Sequence, residues 1–205
     1  MRVTSICDPI NEEDFSKPIN ASAFHIGPVL NEISPATAIR QMKGDRVVGL
    51  DPQGYLRQLD PKGRVHVRKW RNSKLLHRIV VLKVSSSELP AIMGTKATVR
   101  KLATLGPQIV LLTRGPRGTI VWSKESGTFS VPAYETKIRD PTGAGDALAG
   151  AFLVTWVRTG DLLWSAAVGA AMASFVAAKT SLADFGTCKQ IERRAMKILE
   201  GTRRI

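Results

Sequence analysis

Cysteine is scarce in this 205-residue chain: Cys7 and Cys188 stand at opposite ends, with no C-x-x-C spacing and no histidine grouped beside them. That excludes a disulfide framework and a zinc cluster, and it fits a reducing, cytoplasmic compartment. Histidine is equally sparse. His25 lies in an apolar run where a core role is expected, while His66 and His77 fall in a basic stretch, so none of the three is a good metal candidate. Residues 1 to 20 contain Asp8, Glu12, Glu13 and Asp14 and no apolar segment, so an export leader is not expected. Long hydrophobic runs are lacking too. The longest uncharged stretch, Leu162 to Ala178, is Ala-rich. It reaches only the lower edge of the ~17 to 25 residues a membrane helix needs and reads as a buried helix, so no membrane partner is expected. With 43% hydrophobic residues and no internal repeat, the chain is expected to form one large domain with a real core.

Negative charge is the other deficit, with 17 Asp plus Glu against 30 Lys plus Arg and a formal net charge of +13. Much of the excess lies between Arg57 and Arg78, where Arg57, Lys62, Arg64, Arg68, Lys69, Arg71, Lys74 and Arg78 face only Asp60. A second group near the C-terminus occupies an amphipathic helix with apolar positions Ile191, Ala195, Ile198 and Leu199, and reads as a solvated face. Such a balance raises nucleic acid as a partner, since cations that neutralise phosphates release counterions. The basic stretch has only Trp70 for stacking and no recognised nucleic-acid motif, which argues against it. A binding protein that grips nucleic acid through residues 57–78 stands as the alternative to an enzyme.

Short apolar runs alternate with helical periods. Ala23 to Gly27, Arg46 to Asp51, Arg78 to Val84 and Gln108 to Thr113 read as strands. A helix between the first two has Ser34 as N-cap, Pro35 in its first turn and Gly44 past its end, and a second helical period spans Thr95 to Leu105 before Gly106-Pro107. Thr119 to Ser123 and Thr128 to Ala133, joined through Lys124-Glu125-Ser126-Gly127, predict an antiparallel hairpin at the sheet edge. From Gly143 onward the pattern is helical. The fold class is therefore α/β, with a mainly parallel sheet covered by helices on both faces. Sheets of this kind bind ligands beyond the C-terminal ends of their strands, so chemistry is expected just after Asp51, Val84 and Thr113.

The most informative segment is Asp140-Pro141-Thr142-Gly143-Ala144-Gly145-Asp146-Ala147-Leu148-Ala149-Gly150-Ala151-Phe152, in which small residues turn directly into an apolar helix. The first amides of a helix have no internal partner and carry the positive end of its dipole, so Gly143, Ala144 and Gly145 can form an anion hole. Asp146 falls in the first turn, where a carboxylate can take a proton from an attacking hydroxyl. Read alone, the same turn is equally a tight loop with Asp146 as a capping residue.

The whole run resembles the C-terminal signature of the ribokinase-like (PfkB) sugar kinases, and the resemblance extends from about Thr4 to Thr187. Cys7-Asp8-Pro9-Ile10, Asp51-Pro52-Gln53-Gly54-Tyr55-Leu56-Arg57 and Leu82-Lys83-Val84-Ser85-Ser86-Ser87-Glu88 resemble phrases of the myo-inositol kinase branch in particular. The resemblance implies a ribokinase-like fold and magnesium- and ATP-dependent transfer of phosphate to a hydroxyl of a small sugar, polyol or nucleoside. It implies that Asp146 is the base and that the Gly143 to Gly145 backbone stabilises the transferred phosphoryl. Glu88 matches the glutamate of the family's N-x-x-E motif, which helps place magnesium through water, with Ser85 at the asparagine position. Thr113-Arg114-Gly115-Pro116-Arg117-Gly118 resembles the family's T-x-G-x-x-G, implying nucleotide contacts at Thr113, Gly115 and Gly118. Asp140 and Thr142 match positions that contribute to a monovalent-cation site in some members. Asp51 and Arg57 fall on the acceptor side. Each has a plain reading as well: Glu88 as a solvated helix-start carboxylate, Arg57 as a surface cation, Arg114 and Arg117 as exposed. Ala171 and Ser174, small residues on the Leu162 to Ala178 helix, are expected to leave room for an adenine.

Family members are longer, and their first third carries a glycine pair that holds the acceptor, several strands and a β lid. The resemblance therefore implies that residues 1–205 are the C-terminal two-thirds of a kinase domain, the nucleotide-binding half, without the N-terminal strands and lid. Loss of neighbouring strands exposes an apolar sheet edge, so a homodimer, or pairing with a missing N-terminal partner segment, is expected.

Overall fold

Val81–Ser85, apart from Lys83, and Ile109–Thr113 carry apolar residues on both sides of the chain, as strands buried on both faces do. They lie side by side and parallel at the centre of the molecule. The computed structural model describes residues 3–15, 19–42, 44, 46–95, 97–179 and 185–205. Its main sheet contains β1 (Ala23–Ile26), β2 (Val47–Leu50), β5 (Val81–Ser85), β6 (Ile109–Thr113), β7 (Thr119–Ser123), β8 (Gly127–Val131) and β9 (Arg203–Arg204), hydrogen-bonded in that order. The first four are parallel and the last three antiparallel. A separate antiparallel pair, β3 (Arg57–Leu59) and β4 (Val65–Val67), follows β2.

Alternate residues of the central strands enter two different cores. Leu82, Val84, Val110, Leu112 and Ile120 pack with α1 (Pro35–Gln41), α2 (Gln53–Leu56), α3 (Ser73–Leu76), α4 (Leu89–Met93) and α5 (Val99–Ala103). Val81, Ile109, Leu111, Val121 and Val131 pack with α6 (Ala144–Thr159), α7 (Leu162–Ala177) and α8 (Cys188–Glu200). The sheet is thus covered on both faces. The termini follow local chemistry. Ser34 caps α1 through the Thr37 amide with Pro35 behind it, and Thr187 and Gln190 cap α8 reciprocally.

The structure differs from the sequence reading in several places. The expected 95–105 helix shortens to Val99–Ala103, started by Thr98, and position 96 lies outside the described residues. The strand expected from Arg78 starts at Val81, because His77 and Arg78 still close the turn after α3. The hairpin is not the sheet edge: after Gly201 the chain lays Arg203–Arg204 beside Phe129 and Ser130. The basic stretch contains a hairpin that its charge conceals, with Asp60 accepting from the Lys62 and Arg64 amides in the turn. At the opposite edge, β1 pairs with β2 alone among the described residues. No described helix is long and apolar enough to cross a membrane.

Candidate functional site

Parallel strands carry their C-terminal ends to one side of a sheet, and here they bring Asp51, Ser85 and Thr113 to the same side. The long helix α6 starts there. Gly143 precedes it with φ +79°, a left-handed conformation that favours glycine, and its helix has no side-chain cap. The Ala144 amide donates to the Pro141 carbonyl, whereas the amides of Gly145 and Asp146 have no acceptor among the described residues. Gly145 is partly open to solvent and the Asp146 side chain is exposed in the first turn. The arrangement is a pair of free amides at the positive end of a sixteen-residue helix with a carboxylate beside them.

Beneath this turn lies a side chain that the sequence reading did not single out. Lys83, in the middle of β5, is 5% exposed, and its Nζ donates to Asp51 Oδ2 at 2.5 Å. Asp51 is 2% exposed and spends Oδ1 on the Gln53 amide at 3.1 Å. Burial raises the Asp51 carboxyl above the ordinary carboxylate range, with the attraction of Lys83 opposing. The ammonium also abuts the helix start: a Cβ at Gly145 would stand 2.8 Å from Lys83 Nζ, closer than carbon tolerates. Glycine at 145 therefore makes room for the lysine as well as leaving the turn open to a ligand. His25, in β1, lies within electrostatic reach of Asp51, Asp146 and Lys83; burial of its ring lowers its pKa, with the attraction of Asp51 and Asp146 opposing, although one edge of the residue stays open to solvent.

The remaining candidates are distributed as follows. Glu88 folds back so that Oε2 accepts from the Ser85 amide at 2.9 Å, and it is close enough to Asp51 to affect its ionisation. The Ser85 hydroxyl pairs with that of Ser87. Thr113 ends β6, and its carbonyl accepts from the Ser86 amide. Gly115 has open space around it, but Gly118 is held by the fold itself: a Cβ there would lie 2.2 Å from the Val131 carbonyl oxygen. Arg114 bonds to the Arg117 carbonyl and the Ser130 hydroxyl, while Arg117 is exposed. Asp140 accepts from the Thr142 amide at 2.9 Å, and hydrogen bonding to the Thr142 side chain, then to its amide, lowers the Asp140 pKa. Asp51 is taken up by Lys83, and Arg57 is half-buried with Nη1 on the Val29 carbonyl at 3.3 Å.

One expectation is corrected. Ala171 and Ser174 do not line open space for an adenine: both are buried, and the Ser174 hydroxyl accepts from Arg194 Nη1 at 2.7 Å. Small residues on α7 serve close packing instead, since a Cβ at Gly169 would meet the Leu148 carbonyl at 2.8 Å. Arg194 stacks over the Phe175 and Tyr134 rings. Among the described residues, no group of three His, Cys, Asp or Glu side chains converges as a metal site.

Fold and site together define an α/β protein with a helix start of unpaired amides set over a buried ion pair. The profile of the pfkB family carbohydrate kinase matches residues 55–187, and the chain belongs to that family. Inositol 3-kinase of Arabidopsis thaliana is 32% identical over 165 residues, covering 77% of this chain and 43% of its own length. Cytidine kinase of Thermococcus kodakarensis is 30% identical over 158 residues, covering 73% of this chain and 51% of its own. The chain spans about half the length of the curated relatives it matches. Among solved structures, a pyrophosphate-dependent myo-inositol-1 kinase converted into a myo-inositol-3 kinase superposes with TM-score 0.82 at 22% identity, over 97% of this chain and 70% of that one. Ribokinase of Arabidopsis thaliana complexed with ribose and ATP gives 0.67 at 22% identity, over 95% and 61%. At these identities the structural likeness is one of fold.

Proposed function

We propose that this chain carries the phosphoryl-donor half of a kinase that transfers phosphate from ATP to a hydroxyl of a small sugar, polyol or nucleoside, with a myo-inositol-like polyol favoured. The observation that carries the proposal is the start of α6, where the unpaired amides of Gly145 and Asp146 stand beside the Asp146 carboxylate over Lys83. These residues fit a magnesium–nucleoside triphosphate. The absence of a Cβ at Gly143 and Gly145 leaves the turn accessible, and Glu88 and Asp146 supply oxygen ligands of the kind magnesium takes with water. Bound there, magnesium–ATP supplies an activated phosphoryl group with part of its charge neutralised.

Asp146 accepts the proton of the acceptor hydroxyl as that oxygen bonds to the γ-phosphorus. The bond from that phosphorus to the β-bridging oxygen breaks, and the electron pair leaves with the diphosphate. The Gly143 to Gly145 backbone holds the charge of the moving group, which is where positioned donors lower a phosphoryl-transfer barrier most. Thr113 and Gly115 border the path of the nucleotide from the end of β6, and Asp140 with Thr142 would hold a monovalent cation beside the hole. The polyol preference rests on the likeness to inositol 3-kinase together with the Asp51 to Arg57 phrase.

The test is incubation of the chain with magnesium–ATP and, separately, myo-inositol, ribose and cytidine, with product detection by phosphorus NMR. A phosphate monoester of one acceptor is expected. Its absence with all three, in a chain shown to bind nucleotide, would contradict the acceptor class.

A further inference from the structure

A lysine in the middle of a covered sheet needs a reason, because burial of an ammonium is costly and is retained only with partners. Lys83 stands between Leu82 and Val84, both fully buried. Asp51 satisfies one of its three donors. For the other two, no acceptor is found among the described residues. The ammonium is not directed at solvent but at the backbone of α6, 2.8 Å from where a Gly145 side chain would begin. The two amides without acceptors, those of Gly145 and Asp146, belong to that same turn. The unsatisfied donors of Lys83 and the Gly145 and Asp146 amides therefore adjoin one turn, which is partly open to solvent at Gly145. The groups facing it are Asp51, which is already engaged, Glu88, whose Oε2 is held by the Ser85 amide, His25 and the exposed Asp146. Burial acts on Asp51 more strongly than the attraction of Lys83 does, so the pair is a poor device for stability.

We infer that Lys83 is a phosphate-binding residue of this site: pinned by Asp51 beneath Gly145, its ammonium binds a polyphosphate from the sheet side while the Gly145 and Asp146 amides bind it from the helix side. The inference rests on the phosphotransferase reading and adds to it a charged group that the glycine-rich turn does not contain. It also assigns Gly145 a second role, since any larger residue at 145 would displace the ammonium.

The test uses inorganic tripolyphosphate and a β,γ-imido ATP analogue, each with magnesium, titrated calorimetrically into the full chain and into the double variant Asp51→Asn/Lys83→Met, which replaces the pair by neutral groups of similar size. The double variant is expected to keep its thermal midpoint and to bind tripolyphosphate about 10- to 100-fold more weakly, the range of one or two hydrogen bonds to a charged group. Its affinity should also fall less steeply with added salt than that of the parent. Equal affinity in parent and variant would overturn the role of Lys83 and leave the phosphotransferase reading intact. No binding by the parent would overturn both. A second measurement on the parent chain holds if the variant does not fold. With lysine labelled by nitrogen-15, the exchange-protected ammonium resonance expected of Lys83 must shift as tripolyphosphate saturates the chain, and an unmoved resonance would reject the inference.

Discussion

Replacing Asp51 by alanine is the sharpest test of the buried pair. The two side chains are 6% and 3% exposed, and they meet at 2.5 Å. Removal of Asp51 leaves Lys83 enclosed by β5, α6 and neighbouring apolar side chains without its counter-charge. Breaking a buried pair in this way costs about 3–5 kcal/mol. For a chain of this size each kcal/mol moves the thermal midpoint by about 2–4 °C, so a fall of about 6–20 °C is expected for Asp51→Ala. Substituting both partners, Asp51→Asn with Lys83→Met, should leave stability unchanged or higher, because desolvation already outweighs attraction at Asp51. Urea unfolding of the parent, both single variants and the double variant closes the cycle, with a constant slope confirming that the same surface is exposed. The reasoning is refuted if Asp51→Ala costs less than about 1 kcal/mol, a value typical of exposed pairs. A double variant as unstable as the single would refute it equally.

Three further outcomes are expected. Gly118→Ala combines a Cβ placed 2.2 Å from the Val131 carbonyl oxygen with φ +79°, so it should lower stability by more than the ~1 kcal/mol of a strained turn and release the hairpin, visible as faster amide exchange in Thr119–Ser123. His25 has a folded pKa below its ordinary 6.5, so the unfolded chain binds more protons in the window below that value. The stability that His25 contributes is present above pH 6.5 and is lost as pH falls toward the folded pKa, and His25→Gln should flatten that slope in urea midpoints measured across the window. Arg194→Leu loses the hydrogen bond to Ser174 and the stacking over Phe175 and Tyr134, for a cost of about 1–3 kcal/mol in the same unfolding assay.

The central strands were legible because residues such as Val81, Leu82, Ile109 and Leu112 must be apolar on both faces of a covered sheet, a pattern that survives without tertiary knowledge. The start of α6 was legible for a similar reason, since the Gly143 to Asp146 turn is defined within a few consecutive residues. Lys83 was not, although a signal existed. A lysine inside an apolar strand demands a partner, and the parallel register that pairs Gly49 with Val81 and Leu50 with Leu82 continues to Asp51 beside Lys83. That register is a tertiary fact, 32 positions apart in sequence, and local periodicity does not carry it. Ala171 and Ser174 show the reverse failure. Small residues on a helix mark close approach, but whether a ligand or another helix approaches is decided by α6 and α8, not by α7. The β3–β4 hairpin was concealed because its cations read as a charge cluster, although Asp60-Pro61-Lys62-Gly63 between Leu59 and Arg64 is an ordinary turn sequence.

The central claim, that the start of α6 binds the donor phosphates and Asp146 takes the acceptor proton, is tested most directly by comparing binding and transfer in one variant. Asp146→Asn is to be titrated with the β,γ-imido ATP analogue and assayed for single-turnover transfer from magnesium–ATP to myo-inositol. The account predicts nucleotide affinity close to that of the parent and transfer slower by about 10²- to 10⁴-fold, the contribution of a positioned general base. Transfer by Asp146→Asn at close to the parental rate would contradict it.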